Sequence, residues 1–336
     1  MSMKHTAKLV VAAAGLAFVA TSAFADEVTL NAQTALPTQH ALSQSFIQNF
    51  VQPLNKDEAD GVKIRLLGGP EVNPADRAPQ ALQRGVIDML FIPAAYLAGL
   101  VPQAQAMMLQ NVGVDKLHKD GAFDYYGKIF QDRLGAHLLA WSETGPNSGY
   151  YLYTTKKPKM KDGVVDLSGL SLRTTGAYRP MQNALNATTV QIASGDVPTG
   201  LDRGVIEGFG WPTVGLASIG LANRVDYRIE PAFYSLADVV LVSQRKWDRL
   251  SDQAKTTLQK MASKYEQTSI EQITRQNKRD IEAANKAGVK AITMKGDAAS
   301  KYLSIASEAM WNRVGQNVDK DELSKLRNML YQQPQQ

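Results

Sequence analysis

The chain has 336 residues, a formal net charge of +5 and no cysteine. The lack of cysteine excludes disulfide bonds, thiolate nucleophiles and cysteine-ligated metal sites. A small positive charge without a block of five or more like charges does not indicate nucleic-acid binding, and the length suggests two domains.

The first residues match a secretory signal peptide. Lys4 and Lys8 precede an apolar run at 9–20, and a small-residue site of the A-x-A kind follows at 21–25. The apolar run is much shorter than the roughly 20 residues that a membrane-spanning helix needs. We therefore predict cleavage before Asp26 and a freely diffusing periplasmic protein. A buried N-terminal helix is the alternative.

The next segment alternates strand-like and helix-like patterns. Apolar alternation and short apolar runs predict strands at 28–32, 62–66, 86–92 and 136–141. Apolar residues every three or four positions, with proline and glycine as boundaries, predict helices at 42–54, 74–85 and 115–134. This order predicts an α/β lobe with helices covering a largely parallel sheet.

The pattern then starts again, with strands predicted at 149–155, 170–174 and 188–192 and helices at 178–186 and 196–203. One segment of this half, Leu201–Glu207, resembles Leu82–Asp88 in the first half. In each copy a left-handed glycine, Gly85 or Gly204, is predicted to end a helix and to lead directly into a buried strand. The similarity favours two similar lobes.

A long helix is predicted after a further strand at 237–243. Ser251 is suited to begin it and Gly288 to end it, and one apolar face continues between them. About 36 residues correspond to roughly 54 Å, which exceeds the width of one lobe, so the helix should lie across both. Coiled-coil pairing is the alternative, but the apolar stripe is not a strict heptad. A short strand at 289–294 and two more helices complete the chain.

Residues for catalysis or metal binding are sparse. His40, His118 and His137 are far apart and lack metal-ligand spacing, so we predict surface or half-buried histidines. The sequence contains no nucleophile elbow, phosphate-binding loop or dinucleotide fingerprint. We therefore predict no enzyme activity, no metal and no cofactor.

The segment 166–173 carries the strongest candidate for ligand binding. Asp166 is suited to begin a turn, Gly169 to allow a tight bend, and 171–174 to form a short strand. Arg173 then lies at a strand end, where open α/β sheets bind ligands. Its guanidinium can hold a carboxylate with two parallel hydrogen bonds. A surface ion pair is the alternative.

Several motifs resemble the periplasmic substrate-binding proteins of tripartite ATP-independent periplasmic (TRAP) transporters, the DctP family. The matching elements are Lys157-Pro158, Asp166–Arg173, Gly204–Gly208 ahead of Pro212, and Ala81–Met89. The resemblance implies an α/β, two-lobed periplasmic binding protein fold (class II-like) with the long helix spanning both lobes. The implied division is 1–25 as signal peptide, 26–148 and 237–270 as lobe I, and 149–236 and 271–336 as lobe II.

In that family the arginine matched by Arg173 forms a salt bridge with the substrate carboxylate when the lobes close. Trp211 stands where the family commonly has a polar contact, often asparagine, and Tyr151 stands where some sialic-acid binders have a basic residue. These departures favour a monocarboxylate with an apolar or aromatic body over polyhydroxylated sugar acids. Core packing is the alternative for Trp211.

Four further residues are weaker candidates for the ligand site, and each has ordinary loop or core packing as its alternative: Asn31, Tyr96, Tyr178 and Ser194. The resemblance implies delivery of a small organic acid to membrane permease subunits. The binding component of an ATP-driven importer, a periplasmic ligand sensor and a periplasmic enzyme are the rival interpretations. Aromatic acids, short keto or hydroxy acids and cyclic amino-acid derivatives all remain open as ligands.

Overall fold

The structure is a computed structural model that describes residues 27–56, 61–145 and 148–331. The predicted signal peptide lies outside these residues. The strands are β1 Val28–Thr34, β2 Val62–Gly68, β3 Met89–Pro93, β4 Ala136–Ser142, β5 Tyr150–Thr154, β6 Lys159–Lys161, β7 Val164–Asp166, β8 Ser171–Thr174, β9 Thr188–Gln191, β10 Gly208–Pro212, β11 Tyr227–Phe233, β12 Asp238–Ser243 and β13 Lys290–Thr293. The α-helices are α1 Ala41–Phe46, α2 Gln52–Lys56, α3 Ala78–Arg84, α4 Val114–Lys119, α5 Ala122–Leu134, α6 Arg179–Ala184, α7 Val197–Asp202, α8 Gln244–Asp248, α9 Asp252–Lys286, α10 Gly296–Gly315 and α11 Lys320–Leu330.

Two large sheets organise these elements. The first has the order β2-β1-β3-β12-β4 and the second the order β13-β11-β5-β10-β8-β9. Strand β12 is antiparallel to both of its neighbours in the first sheet, and β5 is antiparallel to both of its neighbours in the second. In each sheet the remaining strands share one direction, so the predicted largely parallel sheet is confirmed. The departure from it is one inserted antiparallel strand in each sheet, β12 or β5. The apolar pattern of a buried strand does not record its direction, so β5 and β12 gave no sign of it.

The two similar segments of the sequence form the same turn. Gly85 and Gly204 have φ values of 74° and 67°, so each ends its helix in the left-handed conformation, as predicted. The amides of the next residues, Val86 and Val205, bond back to the carbonyls of Ala81 and Gly200. Both valines are exposed and each strand begins only three residues later, so the predicted direct entry into a buried strand was wrong.

Two predicted helices are interrupted. The segment predicted as one helix at 115–134 forms α4 and α5, which are separated at Gly121. Gly121 adopts a φ of 77°, a conformation that no regular helix continues through. The segment predicted at 42–54 contains a π-helical turn, Ile47–Val51, between α1 and α2. The apolar periodicity survives both interruptions, which is why the sequence did not show them.

The long helix α9 has 35 residues and begins after the N-cap Ser251, as predicted. Near its middle, the Glu266 carboxylate accepts a hydrogen bond from the Trp141 amide of β4 at 2.7 Å. Nearer its end, the Asp280 carboxylate accepts one from the Gly215 amide, just after β10, at 2.8 Å. The helix therefore lies against elements of both sheets, which confirms this part of the predicted architecture.

Two apolar clusters hold the sheets. The larger one surrounds the first sheet and extends to α9 and α10, while the smaller one packs beneath β5 and β10 through Tyr153, Phe209 and Val197. These clusters fix the strands whose ends carry the site described next. Within residues 27–56, 61–145 and 148–331, no helix combines the length and the apolar character needed to cross a membrane.

Candidate ligand-binding site

A cavity lies between the two sheets, with a free volume of about 40 Å³. Side chains near the first sheet line one wall, including Leu36, His40, Leu42, Pro93, Tyr96 and Asp238. Side chains of the second sheet and its loops line the other wall, including Tyr150, Arg173, Tyr178, Ser194, Trp211 and Pro212. A cavity of this size holds only a few water molecules, so the halves are close together in this conformation.

Local sequence positions Arg173 at this cavity. The Asp166 carboxylate accepts hydrogen bonds from the amide and hydroxyl of Ser168, at 3.1 and 3.0 Å, and Gly169 adopts a φ of 82°. The predicted turn is therefore present, and it leads into the short strand β8. In that strand Arg173 lies opposite Phe209 of β10. Pairing with β9 and β10 on either side fixes the backbone from which the guanidinium extends.

The guanidinium of Arg173 is buried without an anionic partner. Its side chain is only 2% exposed, and its Nε donates to the Ile192 carbonyl at 3.0 Å. Its Cζ lies 5.8 Å from the ring centroids of both Tyr178 and Trp211, a distance at which aromatic rings attract a cation. None of the ion pairs found among the described residues includes Arg173. A buried cation in this state favours an anionic ligand.

His40 adds a neutral donor to the same cavity. Its ring is buried, and its Nδ1 accepts a hydrogen bond from the Leu42 amide at 3.2 Å, which caps α1. Burial, reinforced by the charge of Arg173, lowers the pKa of His40 to about 4, so the ring is neutral at pH 7. Because Nδ1 accepts, the proton resides on Nε2. The prediction of a surface or half-buried histidine was therefore wrong for His40.

Trp211 provides another donor. It is 2% exposed, and its indole Nε1–H has no hydrogen-bond partner among the described residues. Its ring centroid is 5.6 Å from that of His40. The cavity thus combines the Arg173 cation with two N–H groups, the set of donors that holds carboxylate oxygens in charge-assisted hydrogen bonds.

Tyr178 completes this side of the cavity. It is buried, and its ring centroid lies 5.8 Å from the Arg173 Cζ. Burial raises the pKa of Tyr178, so the phenol remains neutral at physiological pH. Its ring packs against the backbone of β10 at Gly210, where a Cβ atom would lie 2.4 Å from the ring. The glycine therefore allows the phenol to lie beside the guanidinium.

Five of the seven residues predicted for the site line this cavity: Arg173, Trp211, Tyr96, Tyr178 and Ser194. Tyr96 lies in a 3₁₀ turn directly after β3, and Ser194 begins a 3₁₀ turn after β9. Both positions follow the carboxyl ends of strands, where ligands bind in open α/β sheets. Their placement supports the predicted site, while their roles toward a ligand stay predictions.

Tyr151 lies elsewhere. It pairs with Trp211 across neighbouring strands, but its ring extends toward Arg228, with 5.6 Å between the Arg228 Cζ and the ring centroid. Its hydroxyl is hydrogen-bonded to Asn277, and the two side chains line a different cavity. Because β5 runs antiparallel to β10, its first residue, Tyr150, occupies the edge at the candidate site. The direction of β5 therefore brings its first residues to this edge, and side-chain alternation turns Tyr150 and Tyr151 to opposite faces of the sheet.

Asn31 also lies away from the cavity. It was expected to end the first strand, but β1 continues to Thr34, so Asn31 is in the middle of it. Its side-chain oxygen accepts a hydrogen bond from Arg65 Nε of β2 at 2.9 Å. The residue that lines the cavity after this strand is Leu36.

Three prominent lining residues were not predicted from the sequence: His40, Tyr150 and Asp238. Asp238 had a visible signal, because it is a charged residue at the start of an otherwise apolar strand. His40 and Tyr150 had none beyond their side-chain chemistry. Among residues 27–56, 61–145 and 148–331, no group of three or more His, Cys, Asp or Glu side chains is arranged to hold a metal ion.

A known protein family matches most of the chain. The sequence model of the DctP family, bacterial extracellular solute-binding protein family 7, matches residues 32–316. A solute-binding protein of Albidiferax ferrireducens is 20% identical over 286 residues, which cover 80% of each of the two chains.

Solved structures share the fold. An extracytoplasmic solute receptor of Bordetella pertussis, crystallised with pyroglutamic acid, superposes with a TM-score of 0.76 at 16% identity, covering 90% of this chain and 99% of that one. A TRAP periplasmic solute-binding protein from a Sulfitobacter species, with bound β-D-galacturonate, gives a TM-score of 0.74 at 14% identity with the same coverage. These similarities confirm the predicted α/β, two-lobed binding-protein fold with its long helix.

Proposed function

We propose that this chain, which belongs to family 7 of the bacterial extracellular solute-binding proteins, captures a small organic carboxylate at Arg173 and delivers it to the membrane permease of a TRAP transporter. The family is the one that the sequence motifs predicted, and the match over residues 32–316 confirms it. The observation that carries the proposal is the buried guanidinium, which faces a cavity between the halves and has no carboxylate among the described residues as a partner.

A carboxylate ligand satisfies this arrangement. Its two oxygens match the paired N–H groups of a guanidinium, and the pair is stronger inside a cavity than at the surface because water screens it less. The Trp211 indole N–H supplies a further donor on the same wall, and the neutral His40 ring supplies one from the opposite wall. The site therefore favours one negative group held by several N–H donors.

Binding requires the halves to separate. Arg173 is only 2% exposed, so a ligand reaches it only if the two walls of the cavity move apart. We assign residues 26–148 and 237–270 to one lobe and 149–236 and 271–336 to the other, with closure around the ligand as the binding step. The ligand shifts the population toward the closed form because it contacts both walls only there.

The lining favours a compact monocarboxylate with an apolar or aromatic body. Tyr96, Tyr150, Tyr178 and Trp211 present rings to a cavity of about 40 Å³, and Leu36 adds an aliphatic wall. The relatives described above bind pyroglutamic acid and β-D-galacturonate. Of these two, the smaller and less hydroxylated acid fits this lining better, because the rings leave few polar groups for sugar hydroxyls.

The site serves binding rather than catalysis. His40 is the histidine of the cavity wall, and its lowered pKa of about 4 makes it a weak base at pH 7. The family acts outside the cytoplasm, and we place this protein in the periplasm after removal of residues 1–25. Incubation of candidate acids with the protein, followed by NMR, is expected to return every acid unchanged, and product formation would contradict this part.

Calorimetry with a panel of organic acids tests the proposal. The panel contains pyroglutamate, galacturonate and aromatic monocarboxylates, and we expect the wild type to bind at least one of them. Arg173→Ala should weaken that binding at least a hundred-fold, or by about 3 kcal/mol, since a buried charge pair loses one partner. The matched control is Arg179→Ala, because Arg179 is an exposed arginine in the next helix whose guanidinium contacts Gln191.

Two results would contradict the proposal: unchanged affinity in Arg173→Ala, or no binding of any acid by the wild type. The transporter part has its own test. Vesicles that carry the cognate permease are expected to take up the bound acid under an ion gradient without ATP, and only when the binding protein is added. Uptake that requires ATP would assign the protein to the other class of importer.

A further inference from the structure

A second polar group of the cavity has no hydrogen-bond partner in the part of the chain that the structure describes. Asp238 begins β12 and its side chain is completely buried. Neither Oδ1 nor Oδ2 has a hydrogen-bond partner among the described residues. Buried carboxyl groups in folded proteins are nearly always hydrogen-bonded, because leaving them unpaired sacrifices the hydration they had in the unfolded chain.

Contacts with the described residues do not explain why this carboxyl group is buried. No ion pair links it to Arg173 or to any other basic residue that the structure describes. Its electrostatic neighbours are the buried carboxyl group of Glu143, which repels a negative charge, and the phenols of Tyr150, Tyr178 and Tyr265. Burial, followed by Glu143, raises the pKa of Asp238 well above its usual range. A carboxyl group accepts hydrogen bonds in either protonation state, and no described residue uses this capacity here.

The position of Asp238 relative to Arg173 indicates what it can bind. It lines the same cavity as Arg173 but lies on the wall of the first sheet, whereas Arg173 lies on the wall of the second. The Arg173 wall supplies N–H donors, and the carboxyl group of Asp238 supplies the acceptor opposite them. The wall of the first sheet also carries the neutral His40 ring, so both walls offer polar groups to a ligand.

We infer that Asp238 accepts a hydrogen bond from the ligand, so that the substrate class is a small carboxylic acid that also bears an N–H or O–H donor on its body. This inference rests on the proposed function, since it assumes that the ligand carboxylate is at Arg173. A ligand with both groups joins the two walls: its carboxylate binds the second half and its donor binds the first. An acid without the donor binds Arg173 but leaves Asp238 unpaired, and so gains less from closure.

Matched pairs of acids test the inference. Each pair differs in one donor: L-pyroglutamate with the corresponding lactone acid, in which oxygen replaces N–H; mandelate with phenylacetate; and lactate with propionate. Affinities are measured by calorimetry for the full mature chain, for Asp238→Leu and for Asp238→Asn. In the wild type, we expect the donor-bearing member of a bound pair to bind at least ten-fold more tightly than its partner.

The variants separate a ligand contact from a structural role. Asp238→Leu removes the acceptor with little change of volume, so the ten-fold preference should fall below three-fold. Asp238→Asn keeps an acceptor oxygen and should retain part of the preference. The melting temperature of Asp238→Leu should equal or exceed that of the wild type, because an unpaired buried polar group is replaced by an apolar one. Asp238→Val gives a second apolar variant if the leucine does not fold.

The outcomes distinguish this inference from the proposed function. If the two members of every bound pair have equal affinity for the wild type, or if the apolar variants keep the preference, the Asp238 contact is refuted and binding at Arg173 stands. If no acid binds the wild type, the proposed function fails, and the inference fails with it. A lower melting temperature in both apolar variants with an unchanged preference assigns Asp238 to the fold instead.

Discussion

Gly210 of β10 and Tyr178 beside α6 are in direct contact, and a Cβ atom at Gly210 would lie 2.4 Å from Cδ1 of the Tyr178 ring. This distance is shorter than real Cβ contacts allow, and Tyr178 is buried, so its ring has no free space to move into. The lack of a side chain at Gly210 therefore bears on the geometry of the candidate ligand site. The Tyr178 ring centroid lies 5.8 Å from the Arg173 Cζ, so moving the ring disturbs the guanidinium.

The variant Gly210→Ala is expected to destabilise the fold by about 1–3 kcal/mol, the usual effect of overpacking a core. Affinity for the acid should fall with it, because the phenol no longer supports Arg173. The matched control is Gly127→Ala in α5, where a Cβ meets nothing within 4 Å. Alanine should stabilise that helix by about 0.5–1 kcal/mol. Urea denaturation measures both, and equal stability of the two variants would contradict the packing argument.

Trp211→Phe tests the unpaired indole N–H. The change keeps an aromatic ring but removes the donor, so the ligand carboxylate loses one charge-assisted hydrogen bond, worth about 1.5–3 kcal/mol. We expect roughly ten-fold or greater weakening in calorimetry. Trp247→Phe is the control, since Trp247 stacks on His137 at 3.8 Å and does not line the cavity. Equal affinities of the two variants would indicate that Trp211 serves core packing, the alternative raised by the sequence.

Glu143 should make stability depend on pH. Burial raises its pKa from the ordinary 4.5 to about 7, although the hydrogen bond from the Tyr265 hydroxyl acts in the opposite direction. The folded state therefore binds a proton more tightly than the unfolded chain does. The resulting stability is fully present below pH 4.5 and is lost as the pH rises through about 7. At about 1.4 kcal/mol per pKa unit, the loss across this window is about 3 kcal/mol.

The Glu143→Gln variant removes this titration and keeps an oxygen that accepts from the Tyr265 hydroxyl. His40 and His137 have pKa values lowered to about 4, so their contributions rise with pH between 4 and 6.5 and oppose that of Glu143. The informative quantity is therefore the difference in unfolding free energy between wild type and variant, measured in urea from pH 4.5 to 8. The unfolding free energy of the wild type should fall relative to that of the variant as the pH rises. Parallel curves would contradict the raised pKa.

Asp280 should be important for stability because it joins α9 to the loop after β10. Its carboxylate accepts hydrogen bonds from the amides of Gly215 and Ala217, at 2.8 and 3.3 Å. Asp280→Ala leaves both amides without this partner, and we expect a loss of about 2–5 kcal/mol. Glu271→Ala, on an exposed part of the same helix, should change stability by less than about 0.5 kcal/mol. Similar melting temperatures for the two variants would show that Asp280 does not stabilise this junction.

Features that depend on neighbouring residues were readable from the sequence. Ser251 caps α9 because its hydroxyl bonds an amide three residues later, and Gly85 ends α3 because glycine adopts a positive φ without strain. The turn before β8 follows from Asp166 and Gly169 in the same way. These interactions lie within one turn of chain, so no knowledge of the rest of the fold is needed.

Features that depend on strand direction were not readable. Strand β12 lies between β3 and β4, far from both along the chain, and runs antiparallel to them. Strand β5 likewise lies antiparallel between β10 and β11, which brings its first residue, Tyr150, to the cavity. Tyr151 does not line it. The end of the first strand was also predicted too early in the chain. Asn31 was therefore expected at the ligand site, where Leu36 lies instead. Apolar alternation is identical for both directions of a strand, so pairing decided these points.

The sequence by itself determined the family, the long helix and the position of Arg173 at the end of a strand, because motifs, caps and periodicity are local properties. Only the tertiary structure decided that Arg173 and Asp238 line one cavity from opposite sheets and that His40 is buried between them. Burial and charge at a site are sums over segments that meet only after folding. For that reason Asp238 could be recognised as a polar group of the candidate site only from the packing of the two halves.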